Sequence, residues 1–427
     1  MSKRKERDII AIIGRTNAGK SSLLNLLSGQ KNYAIVDKTP GTTTDTVVAL
    51  MEIHSMGPFK VLDTAGVDEY SELGDKKRRK TFEAIEEADL NLIVIDIKRD
   101  DSLDLEIKLI ERVQEHQKQA LVVINVFDNQ KVTEKHLAKV KQRLNLPVLA
   151  INASNKIYHR KLVDFIKNNY KKEIRDIDIL PNVNKKGFVL LIVPMDEETP
   201  TLRLLRPQNM ALERILRKFA IPMLFRLDLN KARNSDQNLV QEEFERYQTL
   251  LDLLKSSCEG LQLIITDSQA FDIIPKWTPE NIPLTSFSIM MAHYMSMGKL
   301  TLMLKGAKAI DNLKVGNRVL IVEACNHDRK CNDIGTVQIP RILQKKAGGK
   351  INFVFNFGRP FPDNLNQYAL IIHCGACMID RQKYLRRLLK AQEAGVPITN
   401  YGIFLAFAQN TKVIERAIKP FAKTKAP

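Results

Sequence analysis

The first 170 residues alternate short apolar runs with helix-length stretches in which apolar and polar residues recur at helical spacing. Five apolar runs are rich in β-branched residues, as buried strands are, and they occupy residues 9–13, 59–62, 92–97, 121–126 and 148–151. Strands that alternate with helices are typical of βαβ units around a parallel sheet. We therefore predict an α/β domain with a mostly parallel sheet over residues 1–172.

The pattern changes near residue 170, where a polar stretch that contains Pro181 is typical of a linker. A second α/β segment follows, with a strand at 188–193 and helical spacing at 207–219 and 239–254. This segment carries no chemical motif. Because small α/β modules with exposed helix faces often pair with a second copy, we predict that residues 173–262 form a dimerisation domain.

A third α/β segment is predicted over residues 263–427. Its strands are expected at residues 263–265, 318–322, 351–355 and 368–372, and its helices at 380–394 and 413–418. The predicted fold class is therefore α/β in three domains, and the third domain carries four of the five cysteines.

Composition restricts the class of protein further. Hydrophobic residues make up 44% and charged residues 27% of the 427 residues, which excludes disorder as the main state. The densest apolar stretch, residues 188–195, is far shorter than the roughly 20 residues that a membrane helix needs, so we expect no membrane association. Five cysteines and no signal peptide indicate a reducing cytoplasm. The net charge of +17 suits either an anionic partner or a solubilising surface, and its even spread favours the surface.

Residues 14–21 read G-R-T-N-A-G-K-S and match the phosphate-binding loop G-x-x-x-x-G-K-S between a strand and a helix. Its glycines allow backbone N–H groups to turn towards phosphate oxygens at the start of the helix. Lys20 supplies a cation to the β- and γ-phosphates, and Ser21 supplies a hydroxyl to Mg²⁺. The residues predicted to contact the nucleotide here are Gly14, Asn17, Ala18, Gly19, Lys20, Ser21 and Ser22.

Two further segments lie in the order expected of a GTPase. Thr42 and Thr43 belong to a hydroxyl-rich loop that suits a switch contacting Mg²⁺ and the γ-phosphate. Asp63 follows a predicted strand and can hold the Mg²⁺ shell, while the N–H of Gly66 can contact the γ-phosphate. These four residues are therefore predicted to bind the nucleotide and its metal.

The segment Asn125-Val126-Phe127-Asp128 follows another predicted strand and is the candidate base-recognition motif. The Asp128 carboxylate can accept hydrogen bonds from two guanine donors that adenine lacks, so it would select GTP. With these motifs, residues 8–170 resemble the translation-factor-like GTPases related to TrmE and Era.

The base-recognition motif of that family is N-K-x-D, and Val126 stands where the lysine belongs. The resemblance therefore implies weaker nucleotide affinity or guanine selectivity, since the lysine stem normally packs over the purine. It also matches Ala153 to the next nucleotide-binding motif of the family. Asn17 matches the asparagine that ligates K⁺ in potassium-dependent members, and a loop-stabilising amide is the alternative for it.

Hydrolysis is predicted to be slow. No glutamine follows the motif that contains Asp63 and Gly66, because the next residues are Val67, Asp68 and Glu69. Water activation would then need the monovalent cation or a nearby carboxylate such as Glu72. The predicted catalytic residues are Lys20, Thr43, Asp63, Gly66 and Glu72.

Three cysteines and two histidines form two short motifs in the last segment. Cys325 and His327 follow one predicted strand, and His373, Cys374 and Cys377 follow another. Because the carboxyl ends of parallel strands meet at one edge of a sheet, the two motifs are expected to converge. Thiolates and imidazoles suit Fe–S clusters or zinc, so the spacing alone leaves a [4Fe–4S] cluster and a tetrahedral zinc site open.

This pair of motifs downstream of a TrmE/Era-like GTPase resembles the family of [FeFe]-hydrogenase maturation GTPases over the whole chain. The resemblance implies that Cys325, Cys374 and Cys377 hold a [4Fe–4S] cluster. His327 and His373 are candidates for the fourth ligand or for a position behind it. The resemblance further implies a homodimeric scaffold that carries a transient di-iron precursor to apo-[FeFe]-hydrogenase, alongside radical-SAM maturation enzymes.

An RNA- or ribosome-associated GTPase with a structural zinc is the alternative function, favoured by the net charge and the GTPase resemblance. The chain has no basic platform with interleaved aromatic residues, so we expect no nucleic-acid partner. Cys258 and Cys331 lie outside the motif pair and are not predicted to be ligands.

Two other patterns are open to more than one interpretation. The methionine-rich residues 289–297 are interpreted as core packing rather than a copper site. The basic residues of the helix after Cys377 could balance an anionic cluster, dock an acidic partner or form a solvated face; they are Lys383, Arg386, Arg387 and Lys390.

Overall fold

The computed structural model describes residues 7–29, 47–53, 56–68, 72–96, 103–127, 133–171, 177–194, 204–256, 260–324, 333–358 and 361–422. Contacts divide the chain into two compact units, Met1–Ile174 and Arg175–Pro427. Across the described ranges, none of the helices combines the length and the apolar character that a bilayer crossing requires.

The first unit is a six-stranded sheet in the order β2-β3-β1-β4-β5-β6, in which only β2 is antiparallel to its neighbour. The strands are β1 Asp8–Gly14, β2 Val47–Ile53, β3 Gly57–Asp63, β4 Leu90–Asp96, β5 Gln119–Asn125 and β6 Val148–Ile151. The helices are α1 Lys20–Ser28, α2 Glu72–Glu87, α3 Asp104–Glu115, α4 Glu134–Leu144 and α5 His159–Asn169.

The central strand β1 is apolar on both faces because helices cover both sides of the sheet. Ile10 and Ile12 pack in one cluster with α1 and α5, while Ile9 and Ile13 pack in another with α2 and α3. A continuous apolar run is what such a two-sided strand requires. The carboxyl ends of β1, β3, β4, β5 and β6 meet at one edge of the sheet, which is where the nucleotide motifs begin.

The second unit contains two four-stranded sheets whose strands are all parallel. One sheet has the order β10-β9-β7-β8 and the other β12-β11-β13-β14. The strands are β7 Phe188–Val193, β8 Ile221–Arg226, β9 Leu261–Thr266, β10 Leu284–Ser286, β11 Arg318–Glu323, β12 Asn352–Phe357, β13 Leu370–His373 and β14 Ile398–Asn400. The helices are α6 Arg206–Arg217, α7 Leu229–Ala232, α8 Gln237–Lys255, α9 Ile274–Trp277, α10 Phe287–Met295, α11 Leu300–Lys308, α12 Ile339–Ala347, α13 Arg381–Glu393, α14 Tyr401–Gln409 and α15 Thr411–Ile418.

One apolar core joins the two sheets of the second unit. It includes Leu191 of β7, Met291 of α10 and Ile371 of β13, all of them fully buried. The expected domain boundary between residues 262 and 263 falls inside β9, whose sheet continues to β10. The methionines of α10 pack in this core, as predicted for residues 289–297.

The predicted strands that lie in the described ranges coincide with observed strands, but β2, β8, β10 and β14 were not predicted. β8 is an edge strand in which Pro222 and Arg226 interrupt the apolar run, so it lacks a buried-strand pattern. β14 has only three residues, too few for a periodicity to be read. The fold class itself is α/β, as predicted.

Candidate functional site

The phosphate-binding loop connects β1 to α1 and lies against the ends of two neighbouring strands. Gly14 has a φ of 152°, and a Cβ there would lie 2.4 Å from the carbonyl oxygen of Val94 in β4. Gly19 has a φ of 95°, and a Cβ there would lie 2.1 Å from Nδ2 of Asn125 at the end of β5. A side chain would clash with the backbone of β4 at Gly14 and with the Asn125 side chain at Gly19, so both positions require glycine.

Lys20 is buried at the start of α1, with 7% of its surface exposed. Its Nζ donates hydrogen bonds to the carbonyl oxygens of Arg15, at 2.7 Å, and Gly14, at 3.3 Å. The ammonium group is therefore held over the phosphate-binding loop, and its contact with the β- and γ-phosphates stays a prediction.

Ser21 and Asp63 meet at the predicted Mg²⁺ position. The Ser21 hydroxyl donates to Oδ2 of Asp63 at 2.7 Å. The other carboxylate oxygen, Oδ1, is buried and has no hydrogen-bond partner within the described residues. Burial raises the pKa of Asp63, although the Ser21 hydrogen bond and the Lys20 charge oppose the rise. A hydroxyl and an unsatisfied carboxylate oxygen fit Mg²⁺, which prefers oxygen ligands.

Asn125 joins three predicted nucleotide-binding segments. Its side chain is fully buried. Nδ2 donates to the carbonyl oxygen of Ala18 at 3.1 Å, and Oδ1 accepts a hydrogen bond from the N–H of Ala153 at 2.9 Å. Asn125 thus fixes the phosphate-binding loop and the segment at Ala153 to the end of β5.

The loop after β3 lies directly on the phosphate-binding loop. A Cβ on Gly66 would lie 2.0 Å from Oγ1 of Thr16, so the two backbones are in close contact. The N–H of Thr16 donates to Oδ1 of Asp68 at 2.7 Å. This contact places a carboxylate beside the loop. The sequence motifs gave no reason to expect a contact of Asp68 with the phosphate-binding loop.

Sequence reasoning also missed an ion pair that holds the loop. Both Nε and Nη2 of Arg15 donate to the buried carboxylate of Glu106 in α3, at 2.7 and 3.1 Å. The pair raises the pKa of Arg15. The two residues are 91 positions apart, and no local pattern could have connected them.

Several predicted residues have no structural test here. Thr42, Thr43 and Asp128 lie outside the described residues, as do Cys325, His327, Cys258 and Cys331. Glu72 begins α2, but its side chain is not described. Asn17 adopts a left-handed conformation with a φ of 63°, and Ser22 lies in the first turn of α1.

The second predicted site lies at the carboxyl ends of β11 and β13, which are adjacent parallel strands. The N–H of Cys374 donates to the carbonyl oxygen of Val322 at 2.9 Å. Cys374 Sγ accepts hydrogen bonds from the N–H groups of Ala324, at 3.2 Å, and Ala376, at 3.4 Å. Because Ala324 directly precedes Cys325, the two cysteine segments leave neighbouring strand ends, as predicted.

The side chains of Cys374 and Cys377 are partly exposed. Burial of the sulfur raises the pKa of the Cys374 thiol to about 11. Within the described residues no set of three His, Cys, Asp or Glu side chains is placed to hold a metal, and Cys325 and His327 are not among those residues. Two thiols at a loop whose amides donate to sulfur fit the ligand chemistry of an Fe–S cluster.

His373 is fully buried and both of its ring nitrogens have partners. Nδ1 donates to the carbonyl oxygen of Cys374 at 2.9 Å, while Nε2 accepts from Nη1 of Arg387 at 2.8 Å. Burial, together with the Arg387 charge, lowers the pKa of His373 to about 3, so the ring is neutral. In this arrangement His373 supports the cysteine loop from behind and has no lone pair left for a metal.

Arg387 is buried, with 3% of its surface exposed, and therefore does not lie on a solvated helix face. It also donates to the carbonyl oxygen of Gly358. On the other side of the cysteine loop, the buried carboxylate of Glu323 accepts a hydrogen bond from the Tyr401 hydroxyl at 3.1 Å. The sequence pattern did not indicate a role for Glu323 or for the Tyr401 contact.

Three family models match separate parts of the chain. Residues 9–126 match the 50S ribosome-binding GTPase family, residues 179–296 the hydrogen maturase F dimerization domain, and residues 301–420 the hydrogen maturase F tetramerization domain. The last two together match more than half of the chain.

Individual relatives match about two fifths of the chain. GTPase Der of a Nitratiruptor species is 35% identical over 172 residues, which are 40% of this chain and 36% of that protein. GTPase Der of Clostridium kluyveri is 34% identical over 183 residues, 39% of this chain and 41% of that protein. The chain thus spans about two fifths of the length of these curated relatives.

Solved structures with a detectable likeness include an Era protein and the G domain of a FeoB iron transporter. A variant of Aquifex aeolicus Era bound to GDP·AlF4⁻ is 22% identical with a TM-score of 0.34, covering 52% of this chain and 93% of its own. The G domain of the T. maritima FeoB iron transporter is 21% identical with a TM-score of 0.31, covering 39% of this chain and 99% of its own.

The six-stranded sheet, the glycine-bounded phosphate loop and the Ser21–Asp63 contact define a P-loop GTPase domain. The two segments that follow this domain identify the family of the whole chain. The chain belongs to the hydrogen maturase F (HydF) family, the GTPases of hydrogenase maturation.

Proposed function

We propose that this protein is a GTP-hydrolysing scaffold that carries the di-iron precursor to apo-[FeFe]-hydrogenase. The observation that carries the proposal is the cysteine loop at the ends of β11 and β13, where Cys374 Sγ accepts two backbone hydrogen bonds and Ala324 leads into Cys325. Cys325, Cys374 and Cys377 would hold a [4Fe–4S] cluster, whose fourth iron position supplies an exchangeable site. His373 would act as the support of this loop, and His327 is the histidine candidate for the fourth position.

The buried surroundings of the cysteine loop support an anionic cluster. Three thiolates bring negative charge to the loop, and Arg387 places a buried guanidinium directly behind it, through the neutral ring of His373. Opposite charge within a few ångströms stabilises an ionised group in a site of low polarity. Of the interpretations open for the basic helix, the balance of an anionic cluster is the one that Arg387 favours.

Anaerobic reconstitution with iron and sulfide tests the metal assignment. We expect a brown protein with about four irons, whereas a structural zinc protein stays colourless. Alanine at Cys325, Cys374 or Cys377 should remove most of the iron, while alanine at Cys258 or Cys331 serves as the matched control and should not. Loss of hydrogenase activation in the three cysteine variants, assayed with the radical-SAM maturation enzymes present, would support delivery of the precursor.

A second candidate function is favoured by one observation, the match of residues 9–126 to a family described as 50S ribosome-binding GTPases. An RNA- or ribosome-associated GTPase with structural zinc would bind zinc after reconstitution and co-sediment with ribosomes. Wild-type protein that binds zinc alone and still activates no hydrogenase would replace the scaffold proposal with this one.

We infer that GTP hydrolysis is slow and stimulated by K⁺. Lys20, Thr43, Asp63 and Gly66 would bind the phosphates and Mg²⁺, and Glu72 would help to position water if the monovalent ion does not. The left-handed backbone of Asn17 belongs to the phosphate-binding loop, where a K⁺ ligand is required. Equal phosphate-release rates in K⁺ and Na⁺ would remove Asn17 from this role, and an unchanged rate in Glu72→Gln would do the same for Glu72.

We also propose that the protein forms a homodimer through the β8 edge of the sheet β10-β9-β7-β8 in the second unit. In the described part of the chain, β8 pairs with β7 alone and leaves its other edge open. Exposed apolar side chains surround this edge: Leu216, Phe219, Ile221 and Leu224. An open, apolar edge strand within a segment that matches a dimerization domain is suited to a second copy of the chain.

A further inference from the structure

The cysteine loop contacts an element of the segment that matches the dimerization domain. A Cβ on Gly375 would lie 3.8 Å from Cβ of Met291 in α10. At the outer side of the loop, Nη1 of Arg206 donates a hydrogen bond to the carbonyl oxygen of Cys377. Arg206 is the first residue of α6 and lies 171 positions before Cys377.

The position of Arg206 is unfavourable for the helix that carries it. A cation at a helix N-terminus faces the positive end of the helix dipole, and the first turn of α6 has no acidic residue. The Arg206 guanidinium instead donates to the Cys377 carbonyl oxygen. A residue that opposes its local preference is explained best by what it contacts.

The rest of α6 gives this contact a rigid base. Ala211 and Ile215 are fully buried in the core of the second unit, and α6 packs against α10. Arg214, one turn before the end of α6, forms an ion pair with Asp178 at 2.7 Å. The guanidinium at the start of α6 is therefore fixed relative to the loop.

We propose that Arg206 is a positioning residue that holds the Cys374–Cys377 loop and places a positive charge beside the cluster. The inference rests on the proposed [4Fe–4S] site. It adds that a residue of α6 influences the reduction potential of the cluster. Reduction adds one negative charge to the cluster, and a neighbouring cation favours the reduced form. The reduction potential of the cluster is thus set in part by a helix of the dimerisation segment.

The test compares Arg206→Ala, Arg206→Lys and a matched control, Arg217→Ala, in the full-length protein after anaerobic reconstitution. Arg217 lies at the other end of α6, where it pairs with Glu213. We expect Arg206→Ala to keep its iron and sulfide but to show a more negative midpoint potential in a redox titration followed by electron paramagnetic resonance. Arg206→Lys, which keeps the charge, should stay near the wild type, and Arg217→Ala should equal it.

A second measurement uses the same variants without iron. Loss of the Arg206 hydrogen bond should speed amide exchange of residues 375–379 about two- to tenfold, the ratio for one hydrogen bond. Unchanged potential together with unchanged exchange in Arg206→Ala would overturn the role of Arg206 and leave the cluster proposal standing. Wild-type protein that takes up no iron and sulfide would instead overturn the cluster proposal.

Discussion

Asp63 is a predicted Mg²⁺ ligand whose burial makes its ionised form unfavourable in the folded protein. Its folded-state pKa lies above its unfolded value because of burial. The free energy of unfolding therefore falls as the pH rises from the unfolded pKa through the folded pKa, and the penalty for the buried charge is largest above the folded pKa.

We predict that Asp63→Asn makes the nucleotide-free protein more stable than the wild type at pH 7. The amide removes the buried charge but keeps an oxygen for the Ser21 hydroxyl. The gain should shrink towards acidic pH, near the unfolded pKa, and Mg²⁺ with GTP should stabilise the wild type alone. Urea unfolding across pH, with and without Mg²⁺ and GTP, measures both effects, and a variant less stable at pH 7 would contradict the prediction.

Val126 gives a second prediction at the scale of one residue. It is half-buried beside the apolar cluster of α3 and α4, and its N–H donates to the carbonyl oxygen of Ile151 at 2.9 Å. Val126→Lys restores the family motif and should tighten GTP binding by on the order of 1 kcal/mol, a modest packing and polar gain. Titration calorimetry with GTP and ATP measures the affinities. Phe127→Lys, which introduces a lysine at the neighbouring position, is the control.

At this scale, motifs identify residues whose type determines their chemistry, such as Lys20 and Ser21. They give no information on partners that are distant in the chain. Glu106 binds Arg15 across 91 positions, and Arg387 was read as part of a basic helix although it is buried against His373. Asn125 was predicted for its motif, but its hydrogen bonds to two other loops could be learned only from the structure.

Among the elements, α11 and β14 are in unusually close contact. A Cβ on Gly306 would lie 2.0 Å from the carbonyl oxygen of Ile398. Helix propensity favours alanine over glycine by about 1 kcal/mol, but a backbone oxygen at that distance cannot move aside alone. The close contact therefore determines whether an alanine at position 306 raises or lowers the free energy of unfolding.

We predict that Gly306→Ala lowers the free energy of unfolding of the second unit by about 1–3 kcal/mol, as overpacking does. Lys305→Ala, at the exposed neighbouring position of the same helix, should stay within about 0.5 kcal/mol of the wild type. Denaturant unfolding followed by circular dichroism gives both values. A more stable Gly306→Ala protein would mean that propensity outweighs the contact.

The edge strand β8 carries the second prediction for an element. Leu224 is 50% exposed on this strand, and a charge there would be desolvated in a dimer. Leu224→Lys should therefore yield monomers at micromolar concentration with an unchanged circular dichroism spectrum. Ile157→Lys, which changes an exposed apolar side chain in the first unit, is the control. Light scattering measures the oligomeric state of both variants. A dimeric Leu224→Lys protein would exclude the β8 edge as the dimer interface.

Elements with strong periodicity could be predicted from the sequence, whereas those defined by their neighbours could not. The run at residues 9–13 is apolar throughout because β1 is covered on both faces. β2 lies at the edge of its sheet, and β14 is recognisable as a strand only by its pairing with β13. Such strands depend on tertiary contacts that no local window contains.

At the scale of the whole molecule, the phosphate-binding loop and the cysteine loop lie in different compact units. Lys20→Ala should reduce GTP hydrolysis at least about 100-fold, the size of effect expected when a charge that faces the reacting phosphates is removed. Its iron and sulfide content should equal that of the wild type. Lys161→Ala, on the exposed surface of the same unit, is the control. Phosphate release and metal analysis on one preparation test both halves, and loss of iron in Lys20→Ala would contradict the separation.

The continuous core of the second unit also limits how such a chain could have arisen by gene recombination. A crossover between residues 296 and 301, where the two family segments meet, would separate Met291 from Ile371 and leave each product with half of a core facing water. A crossover near residue 174 would exchange one complete unit for another. We therefore expect the two segments to be inherited together across lineages, while the GTPase unit is free to be shared with proteins of other descent.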